Sequence, residues 1–449
     1  KARTRQRTFF TKNVIPNICV LGPVTFTTDE LNQLVSPDGD RDAEEAFFTM
    51  FTDADTLGAL IQPDEALLSV TKARVEGLDA ADNLFNQDLT QRARQVVAQA
   101  EYLTSRYHTV VANPPYMDGR NMSEVMRAGL GQIYPESVAG LDTVFVSLAL
   151  ELLLPSAFAA LITMDSWMAN VEYRNFRQRV AEIGSLRSLV HLGPRAFPEV
   201  GGEVVRVVAF VVEKAESTWT AVFVKATSGQ AHEKVAQFHD HRNRFTRSKV
   251  WFEAFPDSSL TGYSAPDSVR NLFATCKPLG ASVDVRTGLQ SGDNDRFIRN
   301  WFEVSFSEVG RGSDTSARWV PYVKSKVPYR WLAGEELVVD WQADGRAIRR
   351  HPSSVVRNQE YYFKSGVSYN GISNQLCARL IDPGAIFDQQ NSVVFAASES
   401  ESLSVLSFLN SSAAEYLARQ LSGKRFGVGT LQRIPDPLAA INPSVPRPD

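Results

Sequence analysis

Thr109-Val110-Val111-Ala112-Asn113-Pro114-Pro115-Tyr116 is the stretch on which the fold turns. The first four residues read as a brief apolar strand. The two prolines fix φ and remove backbone donors, so the strand must give way to a rigid turn at Asn113. Upstream, Val96, Val97, Ala100 and Leu103 fall on one face of a helix that runs to about Tyr107, with Asp88 offered as its N-cap. Glu44 to Phe51 reads as a short helix, and Asn17 to Leu21 as a short apolar run after Pro16. Downstream, Phe145 to Leu154 predicts an apolar helix and Phe158 to Thr163 a strand. Tyr173 to Glu182 reads as a polar-faced helix, Ser188 to Leu192 as a strand and Val204 to Glu213 as a long β-branched strand. Strands separated by helices of this length imply an α/β protein with a parallel, doubly wound sheet. The last two strands lack room for a helix between them, so they are expected to pair antiparallel at the sheet edge. Ligands of such sheets bind at the carboxyl ends of the strands, and the turn after Ala112 lies at such an end.

The composition sets the outer bounds. A chain of 449 residues is too long for one ordinary core and implies two or three domains. Its 43% hydrophobic and 22% charged residues are those of a globular protein, and no apolar run is long enough to span a bilayer. Lys1 to Phe10 carries four cations but no apolar signal core follows it. The three cysteines, Cys19, Cys276 and Cys377, lie far apart without metal-ligand spacing. That usage fits a reducing cytoplasm and no metal site. The net charge of -4 neither demands nor excludes a nucleic-acid partner. From about Ser264 the texture changes: Trp, Tyr, Gly and Arg become frequent and apolar runs shorten. Two domains are therefore expected, over 1–255 and 264–449, the second a mixed α+β domain, with Asn442 to Asp449 as a proline-rich end.

Asn113 to Tyr116 also carries a chemistry. The lone pair of an adenine N6 is conjugated into the ring, which makes it a poor nucleophile. Two acceptors that take both N6 hydrogens would draw the nitrogen toward tetrahedral geometry and localise that pair. The Asn113 carboxamide and the Pro114 carbonyl suit that task, Pro115 holds the turn rigid, and Tyr116 suits stacking on a base flipped out of the duplex. The bland alternative is a rigid turn after a strand.

These four residues resemble the motif of gamma-type amino-methyltransferases, which use S-adenosylmethionine. The resemblance extends to the BREX phage-defence methyltransferases (PglX-like proteins). It is carried by Tyr116-Met117 with Asn121-Met122, Ile162-Thr163 with Ser166-Trp167-Met168, His191-Leu192-Gly193 with Arg195-Ala196-Phe197, and Gly201-Gly202-Glu203-Val204-Val205. In the second region it continues through Gly288 to Phe297, Trp341 with Asp344-Gly345, and Leu409-Asn410-Ser411. The resemblance implies a partial Rossmann-like methyltransferase sheet followed by a DNA target-recognition domain. It further implies S-adenosylmethionine as cofactor, double-stranded DNA and other BREX defence proteins as partners, and a bacterial cytoplasmic location. Leu57-Gly58-Ala59-Leu60 resembles the segment that lines the cofactor's adenine, with Ala59 where the family usually has Ser. Asp118 replaces a usual Gly. The family's acidic, glycine-rich loop precedes the segment matched by Lys1, so the sequence is expected to begin after it and the chain alone to bind the cofactor weakly.

Three further features stand beside their plainer readings. Asn121 to Leu141 either closes over a flipped nucleotide or is an ordinary connection with a helix in it. Gly288 to Phe297 is either a phosphate-binding turn with Arg296 or a hairpin with a solvated Arg. Between Arg318 and Lys364, nine Lys or Arg stand against five Asp or Glu, interleaved with eight aromatic residues. Lys324, Lys326, Arg330, Arg349 and Arg350 are the candidate DNA contacts there, while most of the aromatics are expected in the core. His191, in an apolar strand, is expected to be a satisfied core residue. The leading function is site-specific adenine-N6 methylation of DNA. Its alternatives are a DNA-binding subunit with a degenerate methyltransferase fold and a protein glutamine N5-methyltransferase.

Overall fold

The computed structural model describes residues 17–37, 39–79, 87–197, 205–215, 218–310, 316–325, 327, 329–422 and 425–436. The N-terminal stretch is helical: α1 (Thr28–Leu34), α2 (Arg41–Thr49), α3 (Glu65–Asp79) and α4 (Gln87–Thr104). Thr27 and Glu30 cap α1 reciprocally, each side chain accepting from the other's backbone N–H. The apolar face read from the sequence buries Val96, Val97 and Ala100 of α4 against Phe47, Phe48 and Phe51. Asp88 is not the N-cap: it lies inside the first turn of α4 and pairs with Arg92 one turn on, at 2.9 Å.

The alternating section follows as β1 (Tyr107–Ala112), α5 (Glu124–Ile133), α6 (Leu141–Glu151), β2 (Leu153–Met164), α7 (Arg174–Ile183), β3 (Ser185–Pro194), β4 (Arg206–Glu213), β5 (Thr220–Lys225), α8 (Ala231–His239) and β6 (Arg244–Ser248). β1 and β2 are parallel, with Val110 opposite Ala159 and Ala112 opposite Leu161. Parallel neighbours need a crossover, which α5 and the largely buried α6 supply. The strand order is β1-β2-β4-β3-β5-β6. β4 therefore does not sit at the edge, as its short connection implied. It lies between β2 and β3, antiparallel to β2 with Leu161 opposite Phe210. The physical reason lies in its residues: Val207, Val208, Phe210 and Val212 are all buried. A strand apolar on both faces belongs inside a sheet, where neither faces nor ladder meet water. Gly201 to Val204 lie outside the described residues.

The chain divides into two compact units, one formed by 1–164, 178–189 and 207–217, the other by 165–177, 190–206 and 218–449. Besides the helical core around Phe47 and Phe48, the first unit has a second core of Leu60, Met122, Leu130, Tyr134, Leu141, Val144 and Leu148. The second unit adds α9 (Asp267–Thr275) and two further sheets. Their strands are β7 (Asp284–Arg286), β8 (Ile298–Asn300), β9 (Trp319–Val323), β10 (Trp331–Leu332), β11 (Leu337–Asp340), β12 (Gly366–Asn370), β13 (Ala378–Ile381), β14 (Ile386–Phe387) and β15 (Asn391–Phe395). One sheet runs β10-β13-β12-β15-β7 and the other β14-β9-β11-β8. Four helices accompany them: α10 (Gln342–Arg349), α11 (Glu399–Leu409), α12 (Ser412–Arg419) and α13 (Val428–Arg433). Leu406 of α11 and Leu417 of α12 share a core with Val285, Val367, Tyr369 and Val394 of the first of these sheets. A second core gathers Val320, Tyr322, Val339, Trp341, Tyr362 and Phe387. The protein is a mixed α/β chain. Among the described residues, no helix is long and apolar enough to cross a membrane, and no three His, Cys, Asp or Glu group as metal ligands would.

Candidate active site

The turn after β1 is built from the strand outward. β1 is held by its parallel partner β2, so Asn113 leaves the sheet at a strand's carboxyl end. Asn113 and Pro115 are exposed, Pro114 is buried and Tyr116 is half-buried. The Tyr116 hydroxyl donates to Asn113 Oδ1 at 2.9 Å. Burial, and secondarily the charge of Asp142, push the Tyr116 phenol above its ordinary value. It therefore keeps its proton and acts as a donor, which orients the carboxamide with its oxygen toward Tyr116. An amide oxygen has two lone pairs. The hydroxyl occupies one and leaves one available.

Beyond Tyr116 the chain is zipped onto the segment that opens α6. Leu141 N–H donates to the Met117 carbonyl and Gly119 N–H to the Ala139 carbonyl, both at 2.9 Å, and Asp118 bridges Gly140. Gly119 has no alternative here: a Cβ would lie 2.5 Å from the Val138 carbonyl oxygen. Met117 packs on the core that contains Leu60, Met122 and Leu130. Asp118, where a glycine is usual in the resembling family, caps the short turn Gly119–Asn121 and is forked by Arg120. That guanidinium and the Arg120 N–H hold its carboxyl down at about 2. The stretch 121–141 contains α5, capped by Ser123 Oγ and anchored through buried Leu130 and Tyr134, whose hydroxyl donates to Glu151 at 2.9 Å.

Sequence reading missed Asp142. It lies in the first turn of α6 with only 3% of its surface exposed, and its Oδ2 accepts the Met164 N–H at 2.8 Å. It thereby ties the start of α6 to the carboxyl end of β2, beside Tyr116. Burial pushes its carboxyl up, against hydrogen bonds from Met164 and Thr143 that favour the charge. The available signal was a carboxylate opening a helix with no polar face.

Leu57 to Leu60 form the end of a four-residue helix and a tight turn, with Gly58 at φ 52° and open space beside its Cα. Leu57 packs on the helical core, Ala59 on the core shared with Met117, and Leu60 is buried in that second core. Leu60 thus supports the turn, while Leu57, Gly58 and Ala59 remain half-exposed.

The candidate DNA contacts of the second unit separate into two groups. Lys324 is turned inward, 3.2 Å from Asp388 and donating to Asn294 Oδ1 at 2.9 Å. Arg349 is held by Asp344 at 3.0 Å and by Gln359 at 2.7 Å, with its guanidinium over Trp341. Arg296, Arg330 and Arg350 are exposed, and among the described residues no carboxylate lies within ion-pair distance of them. Arg296 lies over Phe297, and Arg330 donates to the Cys377 sulfur. Lys326 lies outside the described residues. Of the interleaved aromatics, Trp319, Tyr322, Trp341 and Tyr362 are core, whereas Tyr329 and Trp331 are exposed. The turn around Gly292 is closed against Ser354, whose hydroxyl bonds the Ser291 carbonyl, and Asp293 caps the short helix that carries Arg296.

His191 is buried with both ring nitrogens engaged, Nε2 2.9 Å from Asp165 and Nδ1 3.1 Å from the Tyr263 hydroxyl. Burial raises the Tyr263 phenol, whose hydroxyl meets Nδ1, and the imidazole donates through Nε2 to the Asp165 carboxylate. Burial works against the Asp165 charge, but His191 and Arg206 outweigh it and hold that carboxyl low. The cluster is internally satisfied.

Residues 49–197 match the Eco57I restriction-modification methylase family. The chain is similar to the adenine-specific methyltransferase BrxX of Escherichia coli O9:H4 (strain HS), 29% identical over 398 residues, covering 86% of this chain and 32% of BrxX. It is also similar to the adenine-specific methyltransferase PglX of Lacticaseibacillus casei (strain Zhang), 27% identical over 364 residues, covering 76% of this chain and 30% of PglX. It thus spans about a third of the length of these relatives. Among solved structures, a nuclease-deletion mutant of the Type ISP restriction-modification enzyme LlaGI in complex with a DNA substrate mimic matches 79% of this chain and 35% of its own. Its identity is 10% and its TM-score 0.48, too low to establish a common fold.

Proposed function

We propose, taking homology to adenine-specific methyltransferases as the premise, that this chain carries the catalytic motif of a site-specific DNA adenine-N6 methyltransferase. In this reading residues 1–255 form the methyltransferase domain, with a Rossmann-like sheet, and residues 264–449 the target-recognition domain. The observation that carries it is Asn113: an exposed carboxamide at the carboxyl end of a parallel strand, its oxygen oriented by a phenol that stays protonated. S-adenosylmethionine would supply an electrophilic methyl group. Leu57, Gly58 and Ala59 fit its adenine end, because two half-exposed apolar side chains flank a glycine with open space beside it.

The chain's own residues do the rest. The free lone pair of Asn113 Oδ1 and the Pro114 carbonyl accept the two N6 hydrogens of a flipped adenine. Drawing on both hydrogens turns the nitrogen lone pair out of conjugation, toward the incoming methyl. The Tyr116 ring stacks on the base while its hydroxyl holds Asn113 in orientation. The nitrogen, cationic after transfer, loses one proton to solvent water, so this scheme asks no side chain to titrate near neutral pH. Phosphate contacts come from Arg296, Arg330 and Arg350 before Lys324 and Arg349, whose charges are already met by Asp388 and Asp344. The reading extends to phage defence of the BREX type, other BREX proteins as partners and a bacterial cytoplasmic location.

The test is Asn113→Ala, with methyl transfer and DNA binding measured side by side. Loss of one preorganised contact at a reacting centre lowers rate by on the order of 100- to 1000-fold. Affinity should hold, because phosphate contacts elsewhere dominate it. Near-normal transfer would reduce Asn113 to a turn residue.

A further inference from the structure

We infer that Trp331 and Leu332 form an apolar wedge that inserts between neighbouring base pairs of bound duplex DNA. The inference rests on the reading that DNA is the substrate. Across Trp331, the Leu332 N–H donates to the Arg330 carbonyl at 2.9 Å, and Trp331 has φ 71°. This is the positive-φ form of the three-residue turn, which is rare and strained. Left-handed backbone under a bulky side chain is unfavourable because its Cβ crowds the following carbonyl oxygen. Burial commonly offsets such strain, yet Trp331 is 53% and Leu332 71% exposed. Both side chains stand at the apex of a turn that neither relaxes nor covers them.

The base of that turn is clamped. Trp331 and Leu332 pair in parallel with Arg379 and Leu380. The buried Arg379 bonds the Ala333 carbonyl at 2.9 Å and pairs with Glu335 at 2.6 Å. Arg330 is tied by its Nε to the buried Cys377 sulfur at 3.3 Å. A rigid stem with an apolar tip is the form a side chain needs to part a base step against the cost of unstacking it. Charge favours DNA as well. Arg330 directly precedes the tip and is exposed, its Nε bonds the Cys377 sulfur, and among the described residues no carboxylate lies within ion-pair distance of it. A second exposed pair, Trp301 and Phe302, lies near: the Trp301 N–H donates to the Glu336 carbonyl, and Glu336 is within about 14 Å of chain from Leu332.

The experiment uses the protein as its gene encodes it and duplexes carrying its target sequence with 2-aminopurine at successive positions. The wild type should brighten 2-aminopurine at one step, and Trp331→Ala/Leu332→Ala should abolish that signal. Affinity should fall about 10- to 100-fold, the worth of lost stacking, with an unchanged slope against log salt. Arg330→Ala should keep the fluorescence signal and flatten the slope by about one phosphate contact. Both apolar positions are exposed, so folding is spared. An unchanged 2-aminopurine profile in the double variant, while the wild type binds and methylates DNA, overturns the wedge alone. The wedge also falls if the double variant changes sedimentation and leaves DNA binding intact, because the tip is then a protein contact. A wild type that neither binds nor methylates DNA overturns the functional reading and the wedge with it.

Discussion

Two short turns carry the exposed chemistry of this molecule, and they are built on opposite principles. Asn113 to Tyr116 is rigid because its residues make it so: prolines restrict the backbone before folding begins, Tyr116 bonds Asn113, and Gly119 lets the following chain close on Ala139. Arg330 to Leu332 is rigid because its surroundings make it so: Trp331 sits in a conformation it disfavours, held by Arg379 and Cys377 from distant parts of the sequence and by Glu335 close after it. The difference teaches where stiffness at an exposed site can come from. In one case it is intrinsic to the chain, in the other imposed by tertiary structure.

Removing the intrinsic elements should have the larger consequences. Tyr116→Ala loses both the stacking ring and the hydroxyl, and methyl transfer should fall about 10- to 100-fold. Tyr116→Phe keeps the ring and loses one neutral hydrogen bond, for about 3- to 10-fold. Single-turnover rates on both variants decide this, and equal losses would mean that the ring contributes nothing. Gly119→Ala places a methyl 2.5 Å from the Val138 carbonyl. Overpacking of that kind typically costs about 1–3 kcal/mol, read as a lower Tm together with lower activity. An unchanged Tm would show that the 117–141 zipper can yield.

The cations of the second unit sharpen the contrast between groups committed inside the fold and groups left outward. Lys324→Ala removes a partner of the nearly inaccessible Asp388 carboxylate, which Tyr322 also bonds. It should lower stability by about 1–3 kcal/mol and leave the salt slope of DNA binding unchanged. Arg350→Ala should do the reverse, flattening the slope by about one contact at constant Tm. If both variants behave alike, the geometric separation of these residues has no functional meaning. The smallest expected effect breaks the comparison directly. Pro115→Gly frees the unfolded chain at an exposed position and should destabilise by about 0.4–1 kcal/mol. Trp331→Gly relieves the left-handed strain and should be neutral or stabilising by up to about 1 kcal/mol, although it removes a large side chain. Denaturant titration of the pair checks both signs, and a destabilised Trp331→Gly would show that the turn is not strained.

Much of this was legible in the residues. The apolar runs and their spacing located β1, β2, β3, α6 and α7, because buried strands and amphipathic helices announce themselves by period. Even so, α6 ends at Glu151 and Leu153 already opens β2, and α5 was legible only as a helix within a connection. β4 was legible as a strand but not in its place: a short connection fixes that two strands are close, while both-face burial of Val207 to Val212 decides which neighbours they take. Asp88 looked like a cap because caps and first-turn acids share residue types; only the backbone separates them. Asn113 and Tyr116 could be singled out by type and spacing, but their mutual hydrogen bond and the nearness of Asp142 required the fold. The cation list from Arg296 to Arg350 was least legible, since whether a Lys meets Asp388 or solvent depends on a residue 64 positions away.

The most direct measurement is methylation-aware sequencing of DNA from cells carrying the gene, intact and with Asn113→Ala. N6-methyladenine at one recurring sequence in the first, and its loss in the second with the protein still folded and DNA-bound, is the expected result. Absence of the mark with the intact gene, or its persistence with Asn113→Ala, would contradict the role assigned to the turn after β1.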